Sequence, residues 1–202
     1  MPEARLEDGA IVAKRELVNL QGVKVTVPDD GKLVHLQFRR FAGCPVCHLH
    51  LQSFVRRVDD LKAANVREVV VFHSSAEELY AHASRLPFDV IADPRKRLYA
   101  EFGVGASPRA LLDPRAYWPI LRAIAFFVVA MLRKRASAPS PNPEGGRYGL
   151  PADFLVGRDG RVVASKYGAY VDDQWSVDEV LTHARAAHES RAEPVERLQH
   201  QA

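Results

Sequence analysis

Apolar and polar positions along the chain fall into two periods. Val23-Lys24-Val25-Thr26-Val27 alternates at a period of two and leads into the turn residues Pro28-Asp29-Asp30-Gly31, which predicts an accessory hairpin within residues 10–31. Leu33-Val34-His35-Leu36-Gln37-Phe38 is apolar enough to be a buried central strand. From Cys44 to about Ala64 the period changes. Leu51, Phe54, Val55, Val58 and Leu61 recur at steps of three and four, the pattern of a helix packed on one face, with Arg56, Arg57, Asp59, Asp60 and Lys62 turned to water. Glu68-Val69-Val70-Val71-Phe72 then reads as a parallel strand buried on both sides.

The alternation continues. Ser75 and Glu78 make a capping box for a helix to about Arg85, and Phe88-Asp89-Val90-Ile91 reads as a third strand. Asp93-Pro94 offers an N-cap and a first-turn proline for a short helix ending near Gly103. Farther on, Ala152–Val156, the turn Arg158-Asp159-Gly160 and Arg161–Ala164 predict a hairpin. Ser176 and Glu179 open a last helix with Val177, Val180, Leu181 and Ala184 on its apolar side. Strands alternating with helices imply an α/β domain with right-handed crossovers. Beyond about Ala187 the chain turns polar and is expected to fray, so residues 1–187 form one domain and 188–202 a tail.

Residues 114–149 interrupt this order and are expected as a helical insertion. Tyr117 to Leu132 is strongly apolar but carries Pro119 and Arg122, and Arg133-Lys134-Arg135 follows it. The run is shorter than the ~20 residues that cross a bilayer. It is expected to dock on the domain or in a subunit contact of a homodimer; membrane contact is not expected, a helix on the membrane surface ranking second and a span last. Ala136 to Arg147, rich in Ser, Pro and Gly, is expected to be a mobile loop.

Composition narrows the class. With 47% hydrophobic and 26% charged residues in 202, the chain supports a single substantial core. A net charge of +3, from 28 basic and 25 acidic residues, is too balanced for an electrostatic nucleic-acid binder. Two cysteines so close together cannot staple a fold of this length. The segment Met1 to Gly9 shows no apolar run or small-residue cleavage site, and a cytoplasmic location is the expectation.

The chemistry is expected at Arg39-Arg40-Phe41-Ala42-Gly43-Cys44-Pro45-Val46-Cys47-His48, which holds both cysteines. If Cys44 caps a helix, Pro45 takes its first position and Cys47 lies one turn inside. Unpaired N–H groups at a helix start stabilise a thiolate, so Cys44 is the expected attacking thiol. Cys47, three residues on, is close enough to close a disulfide on it. Zinc held by Cys44, Cys47, His48 and His50 is disfavoured, because residues crowded on little more than one helical turn cannot supply a tetrahedron. Covalent haem on Cys-x-x-Cys-His would need export and a second axial ligand. No cofactor or metal is expected.

The order strand, Cys-x-x-Cys at a helix start, strand, helix, then Pro151 leading into a hairpin and a last helix resembles the thioredoxin fold, with a mixed central sheet flanked by helices. Phe38 to Cys47, Val71-Phe72-His73-Ser74-Ser75 and the stretch Asp93-Pro94 to Phe102-Gly103-Val104 resemble the peroxiredoxin-like branch of the alkyl hydroperoxide reductase C/thiol-specific antioxidant superfamily. The resemblance implies an antioxidant oxidoreductase whose Cys44 attacks a hydroperoxide or a disulfide. Cys47 would be its resolving cysteine, and a thioredoxin-type dithiol its reductant. It also implies that Pro151, in Pro151-Ala152-Asp153-Phe154, takes the place of the fold's cis-proline. Typical peroxiredoxins carry Pro-x-x-x-Thr/Ser-x-x-Cys, where Gln37 and Phe41 stand here. A thiol–disulfide oxidoreductase without peroxidase activity, or a non-catalytic binding module, are the alternatives.

Four further residues are candidates. Arg39 and Arg40 could hold the thiolate; strand alternation sends them to opposite faces, so one is expected to serve, Arg40 by preference, and the other to be solvated. His73 and Ser74 follow a parallel strand, on the sheet edge where ligands collect. For Ser74 the bland reading, a helix cap, is stronger; for His73 binding and packing are balanced.

Overall fold

The computed structural model describes residues 5–108, 113–133 and 142–199, with side chains through residue 190. A two-stranded antiparallel hairpin, β1 (Arg15–Val18) and β2 (Lys24–Val27), precedes a five-stranded sheet. The sheet contains β3 (Leu33–Arg39), β4 (Val66–Phe72), β5 (Asp89–Ala92), β6 (Ala152–Val156) and β7 (Val162–Tyr167), in the spatial order β5-β4-β3-β6-β7. β3, β4 and β5 run parallel, while β6 and β7 form an antiparallel hairpin added beside β3. The helices are α1 (Pro45–Arg56), α2 (Val58–Ala63), α3 (Ala76–Ala83), α4 (Arg97–Glu101), α5 (Pro114–Leu132) and α6 (Val177–Gln199).

Side chains alternate along β3, and so divide the core in two. Val34, Leu36 and Phe38 join Val25, Val27, Val69, Val71, Tyr99, Phe102 and Phe154 on one face. Leu33 packs on the other with Phe54, Leu61, Val70, Leu155, Trp175 and Val180. His35, Gln37 and Arg39, fully buried, take the remaining positions of that second face. A central strand apolar on one side only must find polar partners on the other, and it does so beside the cysteines.

Several elements depart from expectation. The helix expected from Cys44 to Ala64 is divided at Arg57, which leaves helical dihedrals (φ −121°, ψ 24°). The Arg57 side chain instead pairs with Asp60 and Asp178. Asp93 caps α4 from farther back, its carboxylate accepting from the N–H groups of Arg97 and Leu98 at 3.0 and 2.8 Å. Pro94 therefore precedes the helix rather than opening it. α6 runs on to Gln199 through the residues expected to fray, past Pro194.

In the insertion, α5 lays a stripe of Ala116, Ala123, Phe127 and Ala130 inward and packs on α1. Residues 136–141 of the expected mobile loop lie outside the described residues; 142–149 are tied down. Ser107 N–H donates to Tyr148 O at 2.8 Å, Leu150 N–H to Gly105 O at 3.1 Å, and Glu144 N–H to the Glu78 carboxylate at 3.2 Å. That last bond diverts Glu78 from the capping box, of which the Ser75 half forms, Oγ accepting from Glu78 N–H at 3.4 Å.

Candidate active site

The chain leaves β3 at Arg39 and enters α1 at Pro45, and the loop between is pinned from β4 and α4. His73 N–H donates to Arg40 O at 3.2 Å, and Ala42 N–H donates to Ser74 Oγ at 3.0 Å. The Tyr99 hydroxyl donates to Arg39 O. Gly43, at φ +74°, supplies the left-handed turn that brings Cys44 to the helix start. Ser74 thus holds the loop, and the hydroxyl capping α3 belongs to Ser75.

Cys44 is the N-cap of α1, with Pro45 in the first position, and its sulfur accepts from Cys47 N–H at 3.4 Å. Arg40 Nη2 donates to the same sulfur at 2.9 Å. Both thiols are free, and each is almost completely buried, 1% exposed for Cys44 and 3% for Cys47. Burial alone would oppose ionisation of Cys44. The Cys47 thiol hydrogen-bonding to it, the Arg40 charge and the Cys47 N–H outweigh burial and bring its pKa down to about 6. Cys47 goes the other way, pushed well above the ordinary thiol value by burial and by the Cys44 thiolate. Environment therefore separates two like groups into an anion and a protonated thiol. A small cavity beside them is lined by Ala42, Gly43, Cys44, Cys47, Leu51, Phe72 and Leu79, with His48 and His82 polar among the apolar residues. Its volume, about 20 Å³, suits a molecule near the size of water.

Arg39 is not solvated, as alternation suggested, but fully buried in a polar cluster under α1. Its Nη2 donates to Asp153 Oδ1 at 2.7 Å and lies 3.1 Å from His50 Nε2, and Nε donates to Gln37 at 3.0 Å. His35 lies between two carboxylates, with Nδ1 2.9 Å from Glu68 Oε1 and Nε2 3.2 Å from Asp153 Oδ1. The register explains it: Glu68 stands opposite His35 and Asp153 opposite Gln37. Asp153 also ties in α6, accepting from Trp175 N–H at 3.2 Å. His50, engaged here, does not converge with His48 on the cysteines.

Burial opposes charge on His35, but Glu68 and Asp153 prevail and lift its pKa to about 9. Asp153, against its burial, is held well below the usual carboxylate range by Arg39 and His35. Because the His35 value is raised on folding, its contribution is complete below about 6.5 and is lost as pH rises through about 9. Urea unfolding is expected to give a midpoint that declines across that window, and Asp153→Asn, which leaves Arg39 without its carboxylate, is expected to cost about 3–5 kcal/mol at neutral pH.

His73 sits beside Arg40 and not on the cysteine cavity. It is fully buried, and among the described residues neither ring nitrogen has a hydrogen-bond partner. Burial, reinforced by the charge of Lys96, pushes its pKa down to about 4, so the ring is neutral. Gly145 and Gly149 press against it; a Cβ on Gly149 would stand 2.5 Å from His73 Nε2. The ring borders a second cavity with Lys96, Tyr99, Val104 and Ala106. Pro151 is a correction: its peptide is trans, the one cis peptide among the described residues being Val27–Pro28. It faces Gly168 and a cavity shared with Gly103, Val104 and Tyr167. The bridge from Ala106 to Gly149 and the bond from Leu150 to Gly105 hold the chain before it.

Comparison with known proteins agrees with this architecture. A family model described as AhpC/TSA antioxidant enzyme matches residues 53–169, more than half of the chain, and the chain belongs to that family. The matched span begins after both cysteines, so the family assignment and the cysteine geometry are independent observations. No curated protein sequence matches. Among solved structures the fold is similar to the peroxidoxin BcpB of Mycobacterium tuberculosis, at 16% identity over 90% of this chain and 98% of that one, TM-score 0.63. It is also similar to the peroxiredoxin PrxQ of Xylella fastidiosa, at 13% identity over 92% and 99%, TM-score 0.63. A third is a putative thiol:disulfide interchange protein DsbE of Chlorobium tepidum, at 18% identity over 90% and 97%, TM-score 0.54. The fold is thioredoxin-like, and the chain falls among thioredoxin-fold redox proteins.

Proposed function

We propose that the protein is a thiol-dependent peroxidase in which Cys44 is the peroxidatic and Cys47 the resolving cysteine. The observation that carries this reading is an ionised sulfur held by Arg40 yet almost wholly enclosed, beside a cavity of water-molecule size. A peroxide oxygen fits.

The Cys44 thiolate attacks the terminal oxygen of ROOH, the O–O bond breaks, and Cys44 becomes a sulfenic acid while RO⁻ takes a proton and leaves as ROH. Arg40 donates first to the thiolate and then to the oxygen on which charge develops. Cys47, kept protonated, delivers its sulfur to the sulfenic acid; a disulfide forms and water leaves. An external dithiol, of thioredoxin type, returns both thiols.

Mixing the reduced protein with hydrogen peroxide, an organic hydroperoxide and a model disulfide in a stopped-flow instrument tests the proposal. Peroxide is expected to oxidise the protein at least about a hundredfold faster than it oxidises a small thiol, through the thiolate and its oriented donor. If only the disulfide reacts faster than that reference, the protein is a thiol–disulfide oxidoreductase and the peroxidase reading falls.

A further inference from the structure

We propose that α5 lies flat on an anionic lipid surface and holds the protein there as a peripheral membrane protein. The helix has three distinct sides. One is the inward stripe that packs on α1, with Phe127 and the neighbouring Phe126 also meeting the His48 ring, at 5.7 and 6.1 Å between centroids. Opposite it, Trp118 (74% exposed), Leu121, Val128, Val129 and Leu132 (80%) form an apolar face turned outward. Along one border of that face lie Arg115, Arg122 and Arg133, seven and eleven residues apart, each step close to a whole number of turns.

An apolar face edged by arginines, with a tryptophan near one end, is the composition of a helix seated in the headgroup region of a bilayer. The charge specifies the occupant. From Pro114 to Asn142 the sequence has five basic residues and no acidic one. Arg115 is paired with Asp113 at 2.8 Å, and Asp172 lies within electrostatic reach of Arg122, so the positive charge is concentrated toward Arg133. A second copy of the same face would bring the same arginines and no carboxylate from this helix. Anionic phospholipid supplies both the hydrocarbon and the counter-charge. The helix is long and apolar enough to cross a membrane, but spanning would strip Phe127 and the buried alanines from α1, whereas lying flat preserves that packing.

Trp118 serves as a built-in reporter, because Trp175 is 4% exposed and already in the core. The full chain, mixed with phosphatidylcholine vesicles with and without phosphatidylglycerol, is expected to co-sediment with the anionic vesicles. Its emission is expected to shift to the blue, and binding to weaken as added salt shortens the screening length. Leu121→Glu with Leu132→Glu is expected to reduce vesicle binding by at least about tenfold, with the far-UV spectrum and reactivity toward peroxide unchanged. Absence of binding to phosphatidylglycerol vesicles, or equal binding by the double variant, overturns the proposal. So does a dimer in analytical ultracentrifugation that the double variant abolishes when no vesicle binding is seen; that result gives the face to a second copy. Equal binding to pure phosphatidylcholine overturns the anionic assignment.

Discussion

Cys44→Ser is expected to bring peroxide turnover down to the uncatalysed background, while Cys47→Ser reacts once and stops. The two substitutions are isosteric and adjacent in space, so they separate chemistry from packing. In the first, the only sulfur held as an anion near neutral pH is gone. Cys47 cannot replace it, because burial and its neighbour keep it protonated. In the second, Arg40 and the helix start still act on Cys44, but the nascent sulfenic acid has no thiol to condense with. It should persist and be captured by a dimedone-type reagent as a single adduct on Cys44, seen by mass spectrometry. Multiple turnover with a thioredoxin-type reductant should then be lost. An adduct on Cys47 in the wild-type protein, or normal turnover by Cys44→Ser, would reverse or remove the assignment of roles.

The helix start at Cys44 and the order of the strands could be read from the sequence because both are local. Proline after a cysteine, with apolar residues at helical steps behind it, specifies a capped helix whatever surrounds it. Partners distant in sequence could not be read this way. Arg39, Gln37 and His35 stand on alternate positions of a strand, a pattern equally consistent with a solvated face; only the helix packed over them and the β6 hairpin beside them turn that face into an interior. A signal was nevertheless present. Asp153 is a single acid inside an otherwise apolar run, and Glu68 opens another; a charge so placed needs a counter-charge from another strand. Tyr99 gave no comparable hint. Its hydroxyl anchors the loop before Cys44 through the backbone oxygen of Arg39, and a tyrosine in a short amphipathic helix reads as ordinary core. Ala136 to Arg147 looked mobile by composition, yet within its described part Gly145, like Gly149 just after it, admits His73 at distances no side chain would allow.

Arg40→Met is expected to lower the peroxide rate near neutral pH by roughly tenfold or more and to move the inflection of the pH–rate profile upward from about 6 toward the ordinary thiol value. The size follows from the balance of effects on Cys44. Burial raises its pKa; the bonds from Cys47 and the Arg40 guanidinium lower it. With a value of about 6, roughly nine-tenths of the sulfur is ionised at pH 7; at 9, the fraction is about one in a hundred. Loss of the donor that faces the departing oxygen would add to this. Arg40→Lys keeps a charge but presents a single point in place of a planar fork, so it is expected to restore part of the inflection and less of the rate. Stability provides an independent reading with a definite sign. Since the folded pKa of Cys44 lies below its unfolded value near 9, the thiolate stabilises the fold fully above about 9 and that contribution is lost as pH falls through about 6. The methionine variant should lose part of this pH dependence, which is opposite in sense to that of His35. Thiolate absorbance in the ultraviolet, titrated in both proteins, separates the two explanations of the low value. An inflection still near 6 without the guanidinium would place the effect in the helix start and Cys47, leaving Arg40 as a donor to peroxide alone.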